Sequence, residues 1–328
     1  MKKSGVSLGS LFLTLIMFAS PSWGQVKVRV NWPAVSGAMS GVWVAQEEGI
    51  FKRNGLDVDL VHIPSTSRAI QTMLAGEIAF SPLDVLNSVE ANLRGADVVL
   101  LAGVTNRLIF SLMARPEIKR VADLKGKKIG ITRIGSSTHT ATLFALNEAG
   151  LKPGEYQILP LMEVPNILTA LQAGQIDAGI VSPPTNSRAR RAGFNELTNL
   201  AKDGPEYASV ALGTTRSYIK ANEETVSRVV RSYVEAIHLF KTNKPTAIKV
   251  LQKYTKVSDP EVLEDTYSQF GEYLESIPYV SRKGLETILA ELGEKEPKAK
   301  QAKPEDFLDT RFVAALEKEG VFQKLWRK

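Results

Sequence analysis

Two stretches of this chain repeat each other in the same order, and that repeat constrains the fold more than any other feature. Gly55 and Leu56 precede one strand signal, and Gly150 and Leu151 precede another, 95 positions later. Ala75, Gly76, Glu77 and Ile78 recur as Ala173, Gly174, Gln175 and Ile176, displaced by 98. Ser81 and Pro82 have counterparts in Ser182 and Pro183. Three matches at similar displacement point to two halves of one design. Strand and helix signals alternate through both, which argues for an α/β chain.

Within the second copy, the stretch from Lys125 to Gly150 carries the clearest chemistry. A strand is expected over 127–132, running through Arg133, Ile134 and Gly135 into Ser136, Ser137, Thr138 and a helix. Glycine permits a tight turn, and the first N–H groups of a helix have no partner within it. A helix that starts at the end of a strand presents those donors, with the positive end of its dipole, to the space above the sheet. They suit a carboxylate, sulfonate or phosphate oxygen. The competing reading is that Ser136 or Ser137 only caps its own helix. The first half offers similar strand ends: 26–31 leading to Trp32 and a loop of small residues, 57–63 leading to Pro64, Ser65, Thr66 and Ser67, and 78–80 leading to a turn at Ser81 and Pro82.

The chain begins with Lys2 and Lys3, then an apolar run of about a dozen residues ending near Ala19, then Pro21, Ser22, Trp23 and Gly24. That pattern reads as a secretory leader cleaved after Gly24, since the run is too short to span a bilayer. The 41 basic and 35 acidic residues give a formal charge of +6, and loss of Lys2 and Lys3 with the leader leaves +4. Acids and bases are interspersed and no basic run interleaves with aromatics, so a nucleic-acid role is not expected. There are no cysteines. That excludes disulfides, thiolate metal sites, a cysteine nucleophile and a lipid-modified N-terminal cysteine.

A mature length of about 300 residues exceeds what one core usually serves, so two lobes are expected. The expected division is a leader over 1–24, a first lobe over 25–115, a second lobe inserted over 116–203, and the rest of the first lobe with C-terminal helices over 204–328. Arg107 to Ala114 reads as a strand ending the first segment, and the two crossings would form a hinge. After a strand from Val210, Asn222 can cap a helix whose Val226, Val229, Val230, Tyr233, Ile237 and Phe240 make one apolar stripe. That stripe is expected to dock on the first lobe. The Lys-, Glu- and Pro-rich 293–304 reads as an exposed loop.

Laid out in this order, the chain resembles the periplasmic substrate-binding proteins of ABC importers, in the NMT1/THI5-like branch that handles nitrate, sulfonates, taurine and pyrimidine precursors. The segments that carry the resemblance are GVWVAQEEGIFKRNGLDVDLV, MLAGEIAFSP, DLKGKKIGITRIGSSTHTATLFALNEAGLKPGEYQILPL and ALQAGQIDAGIVSPP. The resemblance implies a two-lobed type II periplasmic binding protein fold, each lobe a mixed sheet flanked by helices, with the helical C-terminal part packed on the first lobe. It implies a monomer that traps a small, anionic organic molecule and docks on an inner-membrane permease, with no cofactor and no metal. It places ligand contacts on the loops after strands: Asn31, Trp32 and Met39, then Ser65, Thr66 and Ser81 on the first lobe, and Ser136, Ser137, Thr138, His139, Ser182 and Pro183 opposite. These coincide with the loops singled out from strand and helix signals alone. Arg133 is the best placed cation, against the reading of a solvent-facing arginine at a strand end, and Trp32 could cover an apolar part of the ligand or belong to the core.

Two other roles stay open. An enzyme would have to use one of three histidines, His62, His139 or His238, because the chain has no HExxH, Walker or GxGxxG motif. His139, at the start of a helix whose positive dipole end should lower its pKa, is the natural candidate. The branch also contains a pyrimidine-synthesising enzyme, against which the leader and the missing cysteines argue. A sensor delivering its ligand to a membrane receptor would use the same cleft.

Overall fold

The computed structural model describes residues 25–294 and 296–327. The leader expected over 1–24, with its cleavage point, lies outside them. Among the described residues no helix is long and apolar enough to cross a membrane.

Ten strands form two sheets of matching topology: β1 (Val26–Asn31), β2 (Leu56–Val61), β3 (Ser81–Asp84), β4 (Val98–Thr105), β5 (Ser111–Ala114), β6 (Lys128–Ile131), β7 (Gln157–Pro160), β8 (Ala178–Val181), β9 (Asn195–Asn199) and β10 (Val210–Thr215). β1 runs parallel to β2, and β10 is antiparallel to both β3 and β4. A parallel bridge between Val30 and Phe80 joins these two groups, and the Asn31 N–H donates to the Phe80 carbonyl at 2.8 Å. The resulting order is β2-β1-β3-β10-β4. The second sheet has the order β7-β6-β8-β5-β9, with two parallel pairs followed by two antiparallel ones. The repeat seen in the sequence is therefore a repeat of topology. It is read in chain order except for one strand, since β10 takes in the first sheet the place β5 takes in the second.

Packing differs between the copies. The first sheet is covered by the helix Ser40–Glu47 and by the long helix Arg216–Thr242, and its core contains the fully buried Trp43, Phe80, Tyr233 and Phe240. Every residue of the expected stripe, Val226 through Phe240, is buried there. Asn222 is the one non-helical residue within Arg216–Thr242, so the chain kinks at the expected cap while the helix itself starts earlier, capped by Thr215. In the second sheet Gly130 faces Gly179 across β6 and β8. A Cβ at Gly179 would lie 2.3 Å from the Ile167 methyl, so only glycine lets the helix Val164–Gln172 sit this close. A further core, holding Leu100 and Ala211 of one sheet with Leu112, Ile129 and Ile180 of the other, runs beneath both.

Three local expectations are corrected. Ser81 and Pro82 are in a strand, not a turn, because β10 pairs with 81–84 and needs no N–H from the proline there. Ser111–Ala114, expected to end the first lobe, pairs with β8 and β9, so the second sheet starts before position 116. The stretch 293–304 holds two short 3₁₀ turns, with Ala299 and Pro304 buried against the helix Arg282–Gly293 and its neighbours.

At one edge the two halves touch through charge. Arg190 of the helix Thr185–Arg191 reaches Asp265 of the helix Pro260–Tyr273 at 2.6 Å, and Arg191 reaches Asp259 at 3.2 Å and pairs with Glu261.

Candidate functional site

A narrow cavity of about 60 Å³ opens between the ends of the two sheets. Each wall is made where a strand hands over to a helix. From the second half come Thr132, Ser136, Ser137, Thr138, Met162, Glu163, Val164 and Ser182, and from the first half Pro33, Ser36, Met39, His62, Ser65, Thr66 and Asp84. Phe110 and Val210 close it where the chain crosses between the halves.

The helix Ser137–Glu148 starts without a side-chain cap. The Ser136 hydroxyl does not turn onto the helix; it donates to the Arg133 carbonyl at 2.7 Å and lies 2.9 Å from the hydroxyls of Thr132 and Thr138. Thr138 Oγ1 in turn accepts the Thr132 N–H at 2.9 Å. Three buried hydroxyls thus bind each other, and among the described residues the backbone N–H groups of Ser137, Thr138 and His139 have no protein acceptor. The capping reading fails at this helix. Gly135 adopts φ +71°, which lets the chain turn from strand to helix in so few residues.

The other wall has the opposite chemistry. The helix Val85–Leu93 is capped by Asp84, whose Oδ1 accepts the Asn87 N–H at 2.9 Å. Asp84 is 1% exposed, and its Oδ2 is buried with no hydrogen-bond partner. Burial, reinforced by the nearby Glu90 charge and opposed by the Asn87 N–H, raises its carboxyl to about 7. His62 is also half-buried with Nε2 unpartnered, and burial holds its pKa below the ordinary value despite the charge of Glu163. Ser65 and Met162, which occupy corresponding corners after β2 and β7, both have positive φ, 78° and 73°, without being glycine. Such strain costs on the order of 1–3 kcal/mol and gathers where a surface is shaped for a ligand.

Of the residues expected from the sequence, Met39, Ser65, Thr66, Ser136, Ser137, Thr138 and Ser182 are brought together around the cavity. The others lie elsewhere. Asn31 and Ser81 are fully buried and bonded to each other, Asn31 Nδ2 donating to Ser81 Oγ at 3.1 Å while Asn31 Oδ1 accepts the Ile63 N–H. Trp32 stacks behind His62 at 3.8 Å and meets Trp43 and Tyr254 edge-on, so it backs the wall. His139 faces a neighbouring groove lined by Leu143, Tyr207 and Glu291, and its Nδ1 accepts the Gly135 N–H at 3.2 Å. Its pKa is lowered, with burial as the cause. Arg133 is outside the lining, with Nε and Nη2 buried and unpartnered. Pro183 offers its carbonyl to the Gly37 N–H at 3.4 Å, joining the two walls. His238 packs on Trp326, remote from the cavity.

Sequence reasoning missed Asp84, Met162 and Glu163 and weighed His62 only as one of three histidines open to an enzyme. Only Asp84 carried a local signal: an aspartate immediately before the apolar Val85 and Leu86 is a helix-start pattern. Among the described residues no group of His, Asp and Glu side chains is placed to hold a metal ion.

Residues 37–247 match the family described as NMT1/THI5 like. The taurine-binding periplasmic protein of Escherichia coli (strain K12) is 27% identical over 66% of this chain and 68% of that protein. The alkanesulfonate-binding protein SsuA from Xanthomonas axonopodis pv. citri, solved with MOPS, superposes with a TM-score of 0.74 at 20% identity, covering 88% of this chain and 99% of its own. The periplasmic nitrate-binding protein NrtA from Synechocystis PCC 6803 superposes at 0.73 with 12% identity, over 93% and 91%. These structures share the periplasmic binding protein fold.

Proposed function

The chain belongs to the NMT1/THI5-like family, and from that premise we propose that it is an extracytoplasmic solute-binding protein of an ABC importer. It captures a small organic molecule bearing an oxyanion in the cavity between its halves and delivers it to an inner-membrane permease. It acts as a monomer in the periplasm after removal of 1–24, it binds and does not transform its ligand, and the two halves, divided near 106–110 and 200–209, close on that ligand as lobes.

The observation that carries this reading is the uncapped start of Ser137–Glu148 at the cavity wall, where three N–H groups and the Ser137 hydroxyl have no protein acceptor. A helix start of this kind favours negative charge and leaves it releasable, as no arginine or lysine lines the cavity among the described residues. Hydrogen bonds to a charged group contribute about 1.5–3 kcal/mol each. Three or four, with apolar burial against Met39, Phe110 and Val164, suffice for the roughly 8 kcal/mol of micromolar affinity after association costs. Relatives named for taurine and alkanesulfonates support the solute class.

Thermal unfolding of the mature protein against sulfonates, carboxylates, nitrate and pyrimidines tests it. A ligand at a hundred times its Kd adds about 2.7 kcal/mol of stability. A panel that moves the midpoint nowhere, or a compound that is consumed catalytically, ends the reading.

A further inference from the structure

The cavity of about 60 Å³ holds no more than a few water molecules, so an organic solute reaches the open start of Ser137–Glu148 only when the two halves move apart. Whatever holds the halves together here therefore enters the binding equilibrium. Among the described residues, the side-chain hydrogen bonds and ion pairs that join the halves away from the crossings fall on one element, the helix Pro260–Tyr273. Its Val262, Leu263 and Phe270 are buried in the core of the first half. A Cβ at Gly37 would lie 2.2 Å from the Phe270 ring, so the helix is pressed against the turn that carries Ser36 and Met39 to the cavity wall. Its other side meets the helix Thr185–Arg191 of the second half. Asp265 accepts from Arg190 Nη2 at 2.6 Å and from the Ser187 hydroxyl, Gln269 Oε1 accepts from Asn186 Nδ2 at 3.4 Å, and Asp259 and Glu261 pair with Arg191. Arg190 is itself held by Glu196 at 3.0 Å, and Asn186 and Ser187 are 1% and 4% exposed. The exposed ion pairs rest on a buried polar floor.

The same helix ends at the crossings. Its last residues, Glu272 and Tyr273, share a hollow with Arg107 and Ala201, and the Ala201 carbonyl accepts from Arg107 Nη1 at 3.2 Å. With 14 residues in the helix, its first turn stands about 20 Å farther from the crossings. Rotation about the crossings leaves the Tyr273 end nearly in place and separates the far end most.

We propose that Pro260–Tyr273 is a latch, carried by the first half and gripping Thr185–Arg191 of the second, with Asp265 as the positioning residue that sets how tightly a ligand is held without touching it. Asp265 is absent from the cavity lining. The inference rests on the reading that the halves close on a ligand, and adds a hold that the protein supplies for itself. Apparent affinity scales with the fraction of protein in the binding-competent arrangement, and contacts made only when the halves are together raise that fraction. Arg191 with Asp259 and Glu261, exposed at the far end, is the weaker grip. Asp265 is the stronger, because its removal takes an acceptor from both the buried Ser187 hydroxyl and Arg190.

The chain has no cysteine, so two introduced ones report the distance between the halves directly. Gln71→Cys on the helix Thr66–Leu74 and Gln172→Cys on Val164–Gln172 are exposed positions, on helices that start at opposite walls of the cavity. Pulsed electron spin resonance on the spin-labelled mature protein, at low salt and with no solute added, is expected to resolve a short and a long distance. Asp265→Ala should lower the ratio of short to long by about threefold to tenfold, and Asp265→Glu should recover part of the loss. Sodium chloride at about 0.5 M should act on the parent in the same direction as the alanine variant. Asp265→Asn, which keeps the shape and loses the charge, should show the same shift and serves if the alanine variant does not fold. A mixture of two distances that neither variant changes overturns the latch while leaving closure of the halves standing. A lowered unfolding midpoint with that mixture unchanged gives Asp265 a structural role only and overturns the latch too. One fixed distance in every variant and at both salt levels sinks the closure of the halves itself, and the latch with it.

Discussion

The two strand-to-helix corners that face each other across the cavity, after β3 in one sheet and after β6 in the other, stand at different places in the strand order and treat the helix start in opposite ways. At β3, Asp84 satisfies the first turn of Val85–Leu93 with its own carboxylate and keeps one oxygen unmatched. At β6, Ser136 turns its hydroxyl back to Arg133 and leaves the first turn of Ser137–Glu148 unmatched. One corner lacks a donor and the other lacks acceptors. A helix start is therefore left open or closed according to where a single side chain spends its hydrogen bond.

The comparison can be broken first at Asp84. A carboxyl raised to about 7 in the folded chain from an ordinary 3.8 prefers the protonated form, so folding binds a proton between those values. The contribution of Asp84 to the stability of the empty protein is then fully present below about pH 4 and is lost as pH rises toward about 7. Glu90 on the same helix and Tyr207 packed nearby face this carboxyl, and Glu90 adds to the effect. Asp84→Asn should remove this contribution, leaving the variant more stable than the wild type at pH 8 in denaturant titrations by about 1–3 kcal/mol, the cost of a buried unmatched acceptor. A wild type no less stable at pH 8 than the variant would mean that Asp84 is matched in solution.

A smaller effect is expected from the opposite corner. Thr138→Val leaves the Thr132 N–H and two hydroxyls without their shared partner, at about 2 kcal/mol by chemical unfolding. A loss under about 0.5 kcal/mol would show that the three hydroxyls do not hold the corner open. Thr138 is thus a poor probe of binding by itself, because it is structural as well as cavity-lining. Ser137 is the cleaner one. Ser137→Ala should leave stability within about 0.5 kcal/mol and weaken an oxyanion ligand about threefold to tenfold, one hydroxyl's contribution. The smallest expected effect on binding is at the turn: Gly135→Ala, at φ +71° with open space around the new methyl, should cost about 1 kcal/mol of stability with little change in affinity.

Much of this asymmetry was legible in the sequence on one side only. The hydroxyl run at 136–138 and the glycine before it announce a helix start, and the repeat of Gly55 and Gly150 announces the paired sheets. Asp84 was hidden because a four-residue strand containing Pro82 reads as a turn, and pairing with the distant β10 decides otherwise. Asn31, Ser81 and Trp32 sit at the right loop, but tertiary packing turns their side chains to each other and to the core, which no local pattern records. His62, Met162 and Glu163 reach the cavity from loop positions whose only common property is where the chain has folded.

The charged seam at the edge, Arg190 with Asp265 and Arg191 with Asp259, bears on how such a molecule lets go. These side chains are between a third and a half exposed, a setting in which each pair is worth no more than about 1 kcal/mol and fades as ions are added. Dissolved salt is consequently expected to loosen the hold of one half on the other along this edge, while the apolar core shared by both sheets is left in place.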